Sequence, residues 1–229
     1  HKEQLLLERS GSYIGTLIDD LVSKGCSDPY RMMTSRSEYR LVLRQDNADQ
    51  RLMPIGYAIG LLPEERYTKM LDKYARVAAE IKRLEHTNLA PGTALNEMLT
   101  EHGTAPLQTG CKVADLVRRP QLGYQMLAPF DPERPELTPD EQEQVEIQIK
   151  YAGYIKRQNE AIAQAKRLEE KKLPLDLDYN TVRGLRLEAA EKLNLHKPVS
   201  IGQASRISGV SPADISVLLV WLEQHKENL

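Results

Sequence analysis

The chain has 229 residues, 41% hydrophobic and 28% charged, with 31 basic side chains against 33 acidic ones and a net charge of -2. Such a balance suits a globular, soluble polypeptide with one sizeable core or two small ones, and it excludes a histone-like or polybasic mode of binding. Any nucleic-acid site must be a local patch.

No apolar run approaches the roughly 20 residues that cross a bilayer, and no charged-then-apolar leader opens the sequence, so no membrane partner and a cytoplasmic location are expected. Cys26 and Cys111 lie far apart with no histidine or cysteine at ligand spacing. They read as free thiols rather than as a zinc site or a disulfide framework. The chain opens at His1, with HKEQLLLERSGSYIGTLIDDL already in mid-pattern, and reads as a piece of a longer protein. A glycine-rich strand-to-helix turn, a GxSxG elbow and an HExxH helix are all missing, so no catalytic, cofactor-binding or metal-binding residue is expected in it.

The segment from Pro29 to Leu52, PYRMMTSRSEYRLVLRQDNADQRL, carries five arginines and no lysine. Arginine presents a planar fork that grips an oxyanion at two points, and repeated selection of it suggests phosphate recognition. Ser35-Arg36-Ser37-Glu38 has the form of a capping box, which predicts a helix starting there, with Arg36, Arg40 and Arg44 stacked on one face. RLVLR could instead be a short buried strand. A solvated helix face whose arginines pair with nearby carboxylates is the competing reading of the charges.

From Pro63 to His86, apolar residues from Tyr67 to Leu84 recur at three- and four-residue steps. They predict an amphipathic helix opened by Pro63, its stripe serving as core or as a helix-helix seam. Between Asn88 and Pro135, prolines and glycines cut the chain into short pieces, and TALNEMLTEH and CKVADLVRR read as short helices. Arg118 and Arg119 complement a helix C-terminus there. Thr138-Pro139-Asp140-Glu141 opens the longest helix, expected over about 138–172, and its helical flanks override the strand-like alternation of VEIQIKY.

The remainder, from about Asp176, holds three helix signals: LRLEAAEKLN, SIGQASRIS and PADISVLLVWLEQHK. Ser200 is a predicted cap, Gly209 a predicted stop, and Ser211-Pro212 a predicted start. The outline is a helix-turn-helix, but a DNA reader needs basic or amide side chains on its second helix, and ADISVLLVWLEQ offers an aspartate and apolar groups. Packing or protein docking fits that helix better, with Trp221 as an interface anchor or a core residue. The expected fold is therefore all-α: an irregular multi-helix bundle with one long helix and a small C-terminal three-helix unit containing a helix-turn-helix-like pair.

Four blocks, DPYRMMTSRSEYRLVLRQDNADQRL, EQVEIQIKYAGYIKRQ, LDYNTVRGLRLEAAEKL and PVSIGQASRISGVSPADISVLLVWL, together resemble the C-terminal helical part of the GidA (MnmG) family, bacterial tRNA uridine 5-carboxymethylaminomethyl modification enzymes. The resemblance implies a flavoenzyme that binds FAD and NADH in an upstream region. With a GTPase partner, MnmE, it would add an aminomethyl or carboxymethylaminomethyl group to C5 of the wobble uridine of tRNA, using methylenetetrahydrofolate, and it would act as a homodimer. On this reading residues 1–29 trail the FAD-binding domain, 30–175 form a helical domain, and 176–229 form a small C-terminal helical subdomain.

Carried onto this sequence, the resemblance makes Arg31, Arg36, Arg40, Arg44 and Arg51 tRNA-phosphate contacts, with Arg206 and then Arg183 as candidates in the last unit. Arg31 and Arg40 come first because Tyr30 and Tyr39 beside them could stack on an unpaired base. Met33 and Ser37 stand where the family commonly has phenylalanine and alanine, and Arg186 stands where it usually has serine, which leaves the turn after Gly184-Leu185 open. Two readings compete with tRNA binding: a purely structural or protein-interaction module, and a DNA-binding helix-turn-helix.

Overall fold

The computed structural model of the chain describes residues 5–23, 25 and 28–225; His1 and Cys26 lie outside them. The described residues are mainly helical, with one antiparallel pair of two-residue strands, so the all-α expectation holds. They pack as two compact units, residues 44–156 and residues 1–43 with 157–229.

The unit of residues 44–156 contains α1 (Ala48–Ala58), α2 (Glu64–His86), β1 (Asn88–Leu89), α3 (Thr93–Glu101), β2 (Cys111–Lys112) and α4 (Val113–Val117). It also holds the first part of α5 (Pro139–Glu170). Helix α2 follows the apolar periodicity, although Pro63 is its N-cap rather than its first helical residue. Val77 and Leu84 face a core shared with Leu99, Leu116, Leu127 and Val145, while Leu71 of the expected stripe is exposed. Helix α1 was not anticipated, because Pro54 and Gly56 blur its periodicity. It is tied to α2 by Asp49, which accepts from the Tyr74 hydroxyl at 2.6 Å and the Lys73 ammonium at 2.9 Å.

Two buried carboxylates in this unit are fully engaged. Glu80 accepts from the Tyr124 hydroxyl at 2.7 Å and from the Arg83 guanidinium, which reaches on to Asp131. Glu141 closes the capping box of α5 by accepting from the Thr138 amide at 2.8 Å, and it binds Arg76. A buried charge costs several kcal/mol unless it is paired in this way.

The other unit contains α6 (Tyr13–Ser23), the last part of α5, α7 (Leu187–His196), α8 (Ile201–Ser205) and α9 (Pro212–Gln224). The predicted caps are present. Ser200 Oγ accepts from the Gln203 amide at 3.0 Å, and Ser211 and Asp214 form a reciprocal box at the start of α9. Gly209 has φ +96°, a left-handed value that ends the preceding turn without strain. Leu193, Ile201, Ala204 and Leu218 are wholly buried at the centre of the three-helix unit.

Helix α6 is unusual in burying its small and polar face. Gly15, Thr16, Asp20 and Ser23 turn inward, while Ile14, Ile18, Leu21 and Val22 are exposed. A Cβ at Gly15 would stand 2.3 Å from the Glu8 carbonyl oxygen, so the preceding loop can lie against α6 only where this residue has no side chain.

The turn that the sequence left open is now explained. Arg186 donates to both oxygens of the buried Asp214, with Nη2 at 2.7 Å from Oδ2, and to the Gly209 carbonyl at 2.8 Å. The Arg186 guanidinium and then the Ser211 groups hold the Asp214 carboxyl well below the usual carboxylate range. A carboxyl whose pKa is depressed by folding stabilises the fold above its unfolded value of about 3.9 and loses that contribution as pH falls. Thermal melts at falling pH should therefore show an acid-sensitive limb opening below about pH 4. Asp214→Asn should lower the melting temperature at neutral pH and weaken that limb.

Candidate nucleic-acid interface

The predicted helix from Ser35 does not form. Thr34–Arg36 is a single 3-10 turn, Ser37 is extended at φ -93° and ψ 131°, and Tyr39 to Leu43 make a further turn. RLVLR is not a strand either. Both would-be capping groups are used elsewhere. Ser37 Oγ accepts from the Tyr39 amide at 3.2 Å, and Glu38 turns to Arg9 instead of back to Ser35. Arg36, Arg40 and Arg44 therefore do not share a helix face.

Arg9 organises the segment instead. Its guanidinium, 9% exposed, donates to Asp20 at 2.7 Å, Glu38 at 2.8 Å and Asp19 at 2.9 Å, and it also reaches the Arg36 carbonyl. Burial alone would lower its pKa, but the hydrogen bonds to Asp20 and Glu38 outweigh it and the pKa is raised. Gln158 of α5 adds a second clasp: its Oε1 accepts from the Val42 amide at 2.8 Å, and its Nε2 donates to the Glu38 carbonyl at 3.2 Å. Neither Arg9 nor Gln158 was singled out from sequence, since no local spacing links either to the segment it holds.

This framework sorts the candidate arginines. Arg31, Arg36 and Arg40 are exposed, and none forms an ion pair among the described residues. Arg36 sits over the Tyr30 ring, 5.1 Å from its centroid, and the Tyr30 hydroxyl donates to Asp20 at 2.7 Å. Tyr30 thus supports an arginine and Tyr39 is half-buried, so neither ring stands free beside its neighbouring arginine. Arg44 and Arg51 lie in the other unit and are turned to internal partners. Arg44 pairs with Asp46 at 3.1 Å, and Arg51 donates to the Arg44 carbonyl at 2.9 Å and to Asn47 Oδ1 at 3.0 Å.

In the last unit Arg206 bonds Glu169 and, at 3.0 Å, Asp19, and its Nε is buried without a partner. Arg183 is exposed and lies in no ion pair among the described residues. Arg118 is the C-cap residue of α4, but both guanidinium groups bind elsewhere than the helix's last carbonyls: Arg118 pairs with Asp115, and Arg119 donates to the Ala105 carbonyl. No group of three or more histidines, cysteines or acids suited to a metal occurs among the described residues, and no described helix is long and apolar enough to cross a membrane.

The fold and the site define a helical region that carries an arginine-studded loop, and comparisons with known proteins specify it. Residues 64–159 match the model of the tRNA modifying enzyme MnmG/GidA C-terminal helical domain, and residues 161–229 match that of the MnmG/GidA C-terminal helical bundle. The chain is 58% identical over 226 residues, 99% of its length, to the tRNA uridine 5-carboxymethylaminomethyl modification enzyme MnmG of Caldicellulosiruptor saccharolyticus, of which it covers 36%. It is 51% identical over 97% of its length to the MnmG of Geobacillus kaustophilus, again covering 36% of that relative. A crystal structure of Aquifex aeolicus GidA superposes with a TM-score of 0.76 at 39% identity, over 96% of this chain and 34% of that one.

The chain belongs to the MnmG/GidA family and corresponds to its C-terminal helical region. It spans about a third of the length of the curated relatives it matches.

If Arg9 holds the arginine segment in place, Arg9→Ala should remove the ion pairs to Asp19, buried Asp20 and Glu38 together and cost about 3 kcal/mol. Limited trypsin digestion should then cut faster at Arg36 and Arg40 than in the unaltered chain, with denaturant melts giving the stability loss.

Proposed function

We propose that this chain is the tRNA-binding and partner-docking region of a flavin-dependent enzyme that, with a GTPase partner, adds an aminomethyl or carboxymethylaminomethyl group to C5 of the wobble uridine. On this reading the whole protein is a cytoplasmic homodimer that draws on FAD, NADH and methylenetetrahydrofolate. The observation that carries the reading is the outward display of Arg31, Arg36 and Arg40 from a segment whose Glu38, together with Asp20 of α6, is bound by Arg9. With those carboxylates occupied, the three guanidinium groups remain available to phosphate. We assign Arg183 to the same role. Arg44, Arg51 and Arg206, held by internal partners, support the surface rather than touch RNA.

The residues present do not fit a flavin dinucleotide. The described strands are two residues long, and a dinucleotide cradle needs a parallel strand, a glycine turn and a helix N-terminus. No chemical step is assigned to this chain. Its contribution is to hold tRNA by the sugar-phosphate backbone, which sets register and orientation. The docking part of the reading is supported by the apolar face of α6, where Ile14, Ile18, Leu21 and Val22 lie exposed in a helical stripe.

Binding of an unmodified tRNA transcript across a salt series tests the assignment. Arg31→Ala, Arg36→Ala and Arg40→Ala should each weaken binding and reduce the slope of log affinity against log salt by about one. Arg44→Ala should instead lower the melting temperature and leave the slope in place. Unchanged affinity in all three exposed variants would overturn the reading.

A further inference from the structure

Helix α9 carries Trp221, the only tryptophan of the chain. Its indole packs partly on the C-terminal core and stacks on His225, with ring centroids 4.3 Å apart and planes inclined by 17°. His225 Nδ1 donates to the Trp221 carbonyl at 2.8 Å, which fixes the imidazole in that stack. Beside the pair runs an open groove of about 660 Å³, walled by Arg183, Val217, Val220, Trp221, Gln224 and His225. That is the size of a cleft for a small ligand or a single nucleotide unit. Gly184, at φ +91°, turns the chain just after Arg183, and a Cβ there would stand 3.6 Å from a Val217 methyl, so the turn lies close to α9 beside the groove that Arg183 lines.

The lining is distinctive in its charge. Among the described residues, none that lines this groove bears a carboxylate, in a chain with 33 acidic residues. The cavity beside Arg9 is lined by Glu8, Asp19 and Glu169, and the one beside Tyr124 by Glu143 and Glu146. A groove whose described lining combines a guanidinium, a stacked aromatic pair and a side-chain amide, with no acid among those residues, favours an anionic ligand that also has a flat π-face. An unpaired nucleotide has both. Aromatic stacking accepts any base, while arginine takes the adjoining phosphate.

We propose that this groove is a second RNA subsite, in which an unpaired base of tRNA stacks against the Trp221–His225 pair and its phosphate pairs with Arg183. The inference rests on the tRNA-binding reading above and extends it to a single-stranded feature of the RNA. Val217 and Val220 shield the edge of the base from water, and the Gln224 amide offers hydrogen bonds to its rim.

Because Trp221 is the sole tryptophan, its emission reports on this groove alone. The full chain is titrated with an unmodified tRNA transcript and with a short single-stranded RNA of mixed sequence, following selectively excited tryptophan emission, its protection from acrylamide, and polarisation of the labelled RNA. Both ligands should quench and shield Trp221. Arg183→Ala, at an exposed site, should weaken the short RNA about tenfold, and Trp221→Phe should weaken it less than Trp221→Leu at matched melting temperature.

Tight tRNA binding with unaltered Trp221 emission and unaltered affinity in Arg183→Ala would overturn the subsite, leave the arginine segment as the RNA contact, and free the groove for a protein segment. Absence of any polarisation change with tRNA would instead overturn the underlying tRNA reading, and the subsite with it.

Discussion

One guanidinium decides how the acidic and basic groups near the start of the chain are shared. Arg9 takes Asp19, Asp20 and Glu38 together, and a fourth carboxylate, Glu169, is left to Arg206. Without that sharing, the buried Asp20, which also accepts from the Tyr30 hydroxyl, would lose the Arg9 guanidinium, and Glu38 would be free to neutralise the arginines next to it in sequence. Electrostatic economy inside the unit is thus what permits a positive display outside it, in a chain whose net charge is slightly negative.

In the other unit, several arginines are likewise engaged by acids of the same unit. Arg83 bridges Glu80 and Asp131, Arg76 holds Glu141, and Arg44 holds Asp46. Burial by itself would raise the Asp46 carboxyl, but the Gln144 amide and Arg44 keep it below its ordinary value. Arginine count in a stretch of sequence is therefore a poor measure of its outward charge. Arg40 and Arg44 are four residues apart, yet one is exposed and the other is tied to an aspartate.

What could be read in advance follows from how local the determining interactions are. The caps at Ser200 and Ser211, the glycine stop at Gly209 and the long helix opened by Thr138 depend on neighbours within four residues, and each is found where the pattern places it. The capping box at Ser35 looked equally good and failed, because Arg9, 29 residues away from Glu38, captured the glutamate. The latch of Gln158 on Val42 spans 116 residues and has no local signature at all. Long-range partners override local propensity wherever they satisfy a charge or a backbone amide better than the helix would. For the same reason the arginine segment was legible as a candidate site by composition, while the division of its members between surface and interior was not.

Gly15 shows how far an uncharged position can reach. The chain at Leu7 and Glu8 passes so close over α6 that even a methyl group there would collide with main-chain oxygens, which cannot swing aside as a side chain would. Lifting that strand of backbone would carry the next residue, Arg9, away from Asp19 and Asp20, and the loss would be felt as altered polarity on the outer face. A purely steric replacement at a residue with no functional group would in this way mimic the deletion of a cation.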